Sequence, residues 1–337
     1  MPMHTDRTPA WRDKYPWAPQ ITVCDGLLPW VAEMLPPGAR LDTQLARFRD
    51  AGFDHVSLTV AAGRDTARDA LARLGAIRRE LAGSGLPVRF ARTRDEIARA
   101  RADGVLGLSF HFQTATPFEP DLDLVDGFAA AGIGRAILAY NEANAFADGC
   151  HEPRNGGLTA AGRRLVRRMD QAGMVIDLSH CGERTSLDVL DMPLSRAPVF
   201  SHSNAAALFD HERNISDAQI RRCADRGGYV GVNGVGMFLG VAGPDIPLAM
   251  ARQAAHIAGV AGPDHVGLGL DFMFLDGSDY GFFHAAAGRW PRGYPPPPWD
   301  FLQPEDLGAL VDALAGVGFS GAEIGAILGG TYLEKGV

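Results

Sequence analysis

Cysteine is scarce: four residues in 337 (Cys24, Cys150, Cys181, Cys223), scattered without CxxC spacing. That excludes a zinc ribbon or a disulfide framework and fits a reducing compartment, so a cytoplasmic protein is expected. Long basic runs are absent and the formal net charge is −8, which argues against nucleic acid as a partner. No stretch of about 18 apolar residues occurs, so no membrane span is expected. The opening string MPMHTDRTPAWRDKYPW has no apolar stretch of the signal-peptide kind. Polar and proline-broken, it reads as a loop-like arm over residues 1–19. A second loop-like string, GRWPRGYPPPPWD at 288–300, is too proline-rich for a helix or a central strand. It lies in a Pro/aromatic-rich segment at about 276–303, where Trp290, Tyr294 and Trp299 are candidates for a lid or a subunit contact.

What is present is a chain that is 46% hydrophobic and long enough for a large core. Eight short runs recur: QITVC (20–24), HVSLTV (55–60), GVLGLSF (104–110), GRAILAY (134–140), GMVIDLS (173–179), APVFS (197–201), GYVGVN (228–233) and HVGLGL (265–270). Each is apolar on nearly every residue, the pattern of parallel strands buried on both faces. Between them lie helix-like stretches at 40–52, 64–85, 121–132, 158–173 and 215–228. Their ends carry start and stop signals: Thr159 and Ser216 as N-caps, Gly52 and Gly132 as terminators. Eight such units without a break in composition predict one (β/α)8 TIM-type barrel over residues 20–337, with a doubly wound open sheet as the rival.

A barrel places chemistry where strands end and the following loops begin. The ends carry Asp25, then His111 and Gln113, Tyr140 and Asn141, His180, His202, Asn233, and Asp271. Neutral imidazoles suit a zinc-like divalent metal, and an aspartate beside it can accept the proton of an attacking water. The plain alternative for either histidine is a hydrogen-bonded loop anchor. His55 begins its strand, at the wrong end for chemistry. His111 faces either the interior or the helices, with packing preferred. His151 follows Cys150, a pair able to bind metal, though a solvated loop is the simpler reading. Arg213, in HERNISD, sits just before a helix: either it clamps a substrate carboxylate or it forms a salt bridge to Asp217 or another acid.

The strings GLTAAGRRLVRRMDQAGMVIDLSHCGERT, RAPVFSHSN, ERNISDAQI, GGYVGVN and VGLGLDF, in order, resemble the membrane (renal) dipeptidase family of the amidohydrolase superfamily, in a divergent bacterial branch. The resemblance runs from about residue 20 to the C-terminus. It implies a (β/α)8 barrel, a two-zinc site bridged by a glutamate, dipeptide hydrolysis and a dimer. By that resemblance His180 and His202 match the two histidines of one zinc. Arg213, with Asn214 and Asn141 beside the pocket, matches the substrate-carboxylate site, and Asp271 matches the catalytic acid/base.

The sequence also departs from the family. The first strand of the family carries a His and an Asp for the other zinc before its proline; here CDGLLPW runs from Asp25 and Gly26 to Leu27, Leu28 and Pro29. Gln113 stands where the bridging glutamate belongs, Tyr140 replaces a substrate-side histidine, and Thr331 replaces a closing asparagine. An amide cannot supply the charge that holds two dications together. The expected site is therefore one divalent metal, zinc by analogy, on His180 and His202 with Gln113 and Asp25 as further donors, and with Asp271 and Tyr140 as the proton-handling residues. Three functions follow: a dipeptidase-like hydrolase, preferred; a lyase, isomerase or tailoring enzyme on a small carboxylate; and a barrel that has lost catalysis.

Overall fold

The computed structural model describes residues 9–31, 35–275, 278, 280–285 and 294–337. Trp290, one of the three lid candidates named above, lies outside these residues; Tyr294 and Trp299 are within them. Eight strands form among the described residues: β1 Cys24–Leu28, β2 His55–Ala61, β3 Val88–Phe90, β4 Leu106–Phe112, β5 Ile133–Ile137, β6 Val175–Asp177, β7 Val230–Val232 and β8 Val266–Leu268. Parallel pairing runs β1-β2-β4-β5-β6, and β7 pairs β8.

Single parallel bridges from Val199 to Asp177 and from Phe200 to Val230 join the two ladders. The Asp271 N–H donates to the Leu27 carbonyl at 3.1 Å and closes β8 onto β1. The predicted barrel is thus present. Its sixth wall segment is only the Val199-Phe200 pair, preceded by Pro198, which has no N–H to give. Strand β3 is additional to the eight predicted runs. It pairs Leu106–Leu108 of β4, while β5 takes Phe110–Phe112 farther along the same edge.

The helices follow the sequence signals: Leu41–Ala51, Ala67–Gly83, Leu124–Ala131, Ala160–Gln171 and Asp217–Asp225. The Thr159 hydroxyl accepts from Gly162 N–H, and Ser216 forms a capping box with Gln219. Gly52 ends its helix at φ 102°, a conformation that only glycine adopts at little cost. No helix among the described residues is long and apolar enough to cross a membrane.

Two expectations change. The N-terminal arm is not a loose loop from residue 9 onward, because Ala10–Lys14 is helical and docked. Trp11 Nε1 donates to Ala51 O at 3.0 Å, and the buried Arg12 guanidinium reaches Ala18 O, Gly52 O and Asp54. The strands are also not apolar on both faces. Val56, Leu58 and Val60 of β2 join Leu108, Phe110 and Phe112 of β4 in the main apolar cluster with the helices. The alternating residues turn inward and bond one another: His55 to Ser109 at 3.0 Å, Ser57 and Thr59 to the two nitrogens of His111 at 2.8 and 2.9 Å, and Gln113 to Thr59 at 2.9 Å. His111 therefore belongs to the interior rather than the helix-facing layer.

Arg135 of β5 is buried in the same interior, 3.1 Å from Asp177 of β6, and also donates to the Gly26 carbonyl. Small residues permit the tight packing around the sixth segment. A Cβ on Gly231 or on Gly269 would stand 2.0 Å from the Ser201 carbonyl oxygen.

Candidate functional site

The two histidines meet. Each follows a short strand segment and a serine, and the turns that carry them share one anchor: Asp177 Oδ1 accepts both Ser179 N–H and Ser201 N–H at 3.1 Å. Ser179 Oγ also takes the His202 N–H, at 3.1 Å. As a result His180 Nε2 and His202 Nε2 lie 2.9 Å apart. His180 Nδ1 is 2.7 Å from Asn141 Oδ1, and His202 Nδ1 is 2.7 Å from Ser201 Oγ. With an amide oxygen as its neighbour, His180 Nδ1 carries the proton, and its Nε2 presents a lone pair. Burial, with the Arg213 charge as a second cause, holds both imidazoles well below the usual histidine range, so both are neutral at pH 7.

Tyr140 stacks on His180 with ring centroids 4.0 Å apart. Burial and then the neighbouring Asp271 carboxylate raise its hydroxyl pKa, so it stays protonated. Asp271 is pushed up to about 6 by burial, against the opposing pull of Arg213 and of a 2.9 Å hydrogen bond from Asn233 Nδ2. A carboxylate tuned there is mostly ionised at pH 7 and able to take a proton. Asn233 is held in turn, its Oδ1 accepting Val235 N–H at 2.7 Å.

Among the described residues, five non-glycine positions have positive φ, and three of them are Asn141 (60°), His180 (64°) and Asp271 (54°). Such backbone conformations cost free energy and collect where side chains are held for a task.

Gln113, Tyr140, His180 and Asp271 line one cavity at the barrel mouth, together with Trp299 and Phe301. Its volume is about 40 Å³, room for water and not for a dipeptide. A second, polar groove of about 380 Å³ runs from His180 past Cys150, His151 and Glu212 to Arg213.

Arg213 is buried, donates to the His202 carbonyl at 3.3 Å, and sits 5.3 Å from the Phe238 ring centroid; its Nε has no acceptor. Asp217 pairs instead with His256 at 2.8 Å, so it is not the partner of Arg213. Asn214 gives its amide protons to the Phe209 and Phe238 carbonyls, tying two loops. Asn141 bonds Tyr294 Oη at 3.3 Å as well as His180. His151 is not in a solvated loop: its side chain is 5% exposed, 3.8 Å from Glu212 and edge-on to Tyr294.

Gln113 points its amide N–H at Thr59 and leaves Oε1 buried without a partner. Asp25 is fully buried, its Oδ1 accepting Leu27 and Leu270 N–H and its Oδ2 without a partner. It is not brought to the imidazoles. Among the described residues, no three His, Cys, Asp or Glu side chains gather as a metal cluster. Asn233 is named above only as a strand end, without a role, and Asp177 and Arg135 are absent from the sequence-based site. The latter two were signalled by charged residues within apolar strand runs.

The sequence profile of the family described as membrane dipeptidase (peptidase family M19) matches residues 28–286. An uncharacterized protein in the pqqA 5′ region of Klebsiella pneumoniae is 35% identical over 210 residues, 59% of this chain and 77% of that protein. An uncharacterized dipeptidase of Schizosaccharomyces pombe is 33% identical over 213 residues, 61% of this chain; the match spans 51% of that protein, about half its length. Among solved structures, an amidohydrolase from Pseudomonas aeruginosa superposes with a TM-score of 0.80 at 25% identity, over 94% of this chain and 95% of that one.

Proposed function

Because the chain belongs to the membrane dipeptidase family, peptidase family M19, and is thereby a dipeptidase-like metallohydrolase, we propose that it hydrolyses the amide bond of a dipeptide or similar small carboxylate-bearing amide, using one divalent metal rather than two. The observation that carries this reading is the convergence of His180 Nε2 and His202 Nε2 beside a cavity that also takes in Gln113 and Asp271.

The donor set fits one ion. His180, His202 and the partnerless Oε1 of Gln113 would hold it, leaving a position open as catalytic zinc sites do. His180 Nε2 and His202 Nε2, already 2.9 Å apart, are the pair of nitrogen donors that would hold it. A second ion lacks its ligands, since Leu27, Leu28 and Pro29 follow Asp25-Gly26 where the family's first strand carries its His and Asp, and Gln113 cannot bridge as a carboxylate does. The bound ion would polarise the amide carbonyl and lower the pKa of water.

The chain's own residues do the rest. Arg213, with an unused Nε donor, holds the substrate carboxylate. Asp271 takes the proton of the attacking water and passes it to the leaving amine, oriented by Asn233. Asn141 fixes the His180 ring. All four cysteines are free thiols, in keeping with a cytoplasmic location.

The test is metal content after mild purification and on zinc titration, read together with hydrolysis of a dipeptide panel. One metal per chain, lost together with activity in His180→Ala, is expected. Two metals per chain, no uptake, or an active His180→Ala variant overturns the reading.

A further inference from the structure

The inward faces of β2 and β4 carry a ladder of polar side chains that reaches the mouth. In their parallel register Thr59 lies opposite His111, and Ser57 opposite Ser109. Side chains of one face recur at every second residue, so Ser57 and Thr59 face His111 and Gln113, all four buried. Three hydrogen bonds link them in series: Ser57 Oγ with His111 Nδ1 at 2.8 Å, His111 Nε2 with Thr59 Oγ1 at 2.9 Å, and Thr59 Oγ1 with Gln113 Nε2 at 2.9 Å. Gln113 is also pinned at its base, its backbone N–H donating to Ala61 O at 2.7 Å.

Such a series runs in one of two directions, because a neutral imidazole has one ring proton and each hydroxyl has one to give. In the first direction the Gln113 amide donates to Thr59, Thr59 donates to His111 Nε2, and His111 carries its proton on Nδ1 and gives it to Ser57. In the second every donor is reversed. His111 is then protonated on Nε2, Thr59 donates to the Gln113 carbonyl, and the Gln113 NH2 group takes the place of Oε1. That place is buried, and Oε1 has no hydrogen-bond partner there. One bare carbonyl oxygen is tolerated better than two bare N–H donors. An oxygen is also what a cation beside His180 needs, since Gln113 and His180 line the same cavity.

We propose that Thr59 and His111 are positioning residues for the metal centre: His111, with its proton on Nδ1 and acting through the Thr59 hydroxyl, holds the Gln113 amide with its oxygen free for the cation. An amide ligand, unlike a carboxylate, has a wrong face, and the series beneath Gln113 excludes it. The proposal rests on the one-metal reading for what Gln113 does, but the direction of the series is a property of the metal-free chain.

The full chain, isotope-labelled and metal-free, is examined by long-range proton–nitrogen correlation of its histidine rings, the His111 signals being assigned by their shift in Thr59→Ser. Protonation on Nδ1 is expected; protonation on Nε2 overturns the proposal. Zinc affinity is then measured by competition with a chelator. Thr59→Val keeps the shape of the side chain and loses the hydroxyl; it should bind zinc about tenfold more weakly, whereas Thr59→Ser should bind it as wild type does. In a Gln113→Ala chain the Thr59→Val change should have no further effect, while a general loosening of the barrel would weaken binding there too. Unchanged affinity in Thr59→Val, or an equal loss in both backgrounds, overturns the positioning role and leaves the one-metal reading in place. A wild-type chain that takes up no zinc overturns that reading and the role assigned here together, and the two failures are thereby told apart.

Discussion

Asp25 is a carboxyl group with two backbone donors on one oxygen and nothing on the other, fully buried beneath the site. Burial raises its pKa from the ordinary 3.8 to about 7, with the Asp271 charge adding to the rise and the Leu270 and Leu27 amides and Arg135 opposing it. The folded chain therefore binds a proton that the unfolded chain releases between these two values. The stability this contributes is complete below pH 3.8 and is lost as pH rises to about 7. Three pH units correspond to about 4 kcal/mol, of which about 3 kcal/mol falls between pH 5 and pH 8.

Asp25→Asn keeps an oxygen for the two amides and removes the titration. Urea unfolding of both proteins at pH 5 and pH 8 isolates the term, since shifts from the buried histidines appear equally in each. The variant should gain about 3 kcal/mol on wild type over that interval. A constant difference across it would show that Asp25 is ionised throughout, and loss of metal uptake in Asp25→Asn would make it a ligand instead.

Two further outcomes follow from the mouth. Activity should fall as pH drops through about 6, where Asp271 takes up its proton; Asn233→Ala removes the bond that holds the carboxylate down and should move that limb to higher pH, an unmoved limb separating the two residues. Arg213→Lys loses the fork that matches a carboxylate and should raise KM for acidic-terminus substrates about tenfold with kcat little changed; an unchanged KM would take Arg213 out of substrate binding.

The scaffold was legible because its signals are local. Thr159 and Ser216 cap the helices that they announce, and Gly52 and Gly132 end theirs in left-handed backbone. The strand-end histidines were legible because a barrel puts all such ends on one rim. Strand β3 escaped notice because three half-exposed or exposed residues carry no apolar run. The docked arm escaped because Arg12 is buried through partners 6 to 42 residues away, which no window on the sequence contains. The polar interior was visible in principle: HVSLTV alternates His55, Ser57 and Thr59 with three aliphatics, a period of two that a count of apolar residues conceals. Asp25 could be read as a strand-end carboxylate, but its turn toward the Leu270 amide depends on where β8 closes the ring.

The two bare Cα atoms at Gly231 and Gly269 leave the Ser201 carbonyl no slack on either flank. The height of His202 along the barrel axis is thus fixed by main chain against main chain, not by how neighbouring side chains happen to fill space. A scaffold that locates one donor in this manner keeps its reference point while the other donors are exchanged. Positions 27 and 113 can then be rewritten with acidic side chains against an unmoved coordinate, which makes this barrel a ready chassis for building a chosen nuclearity into an old frame.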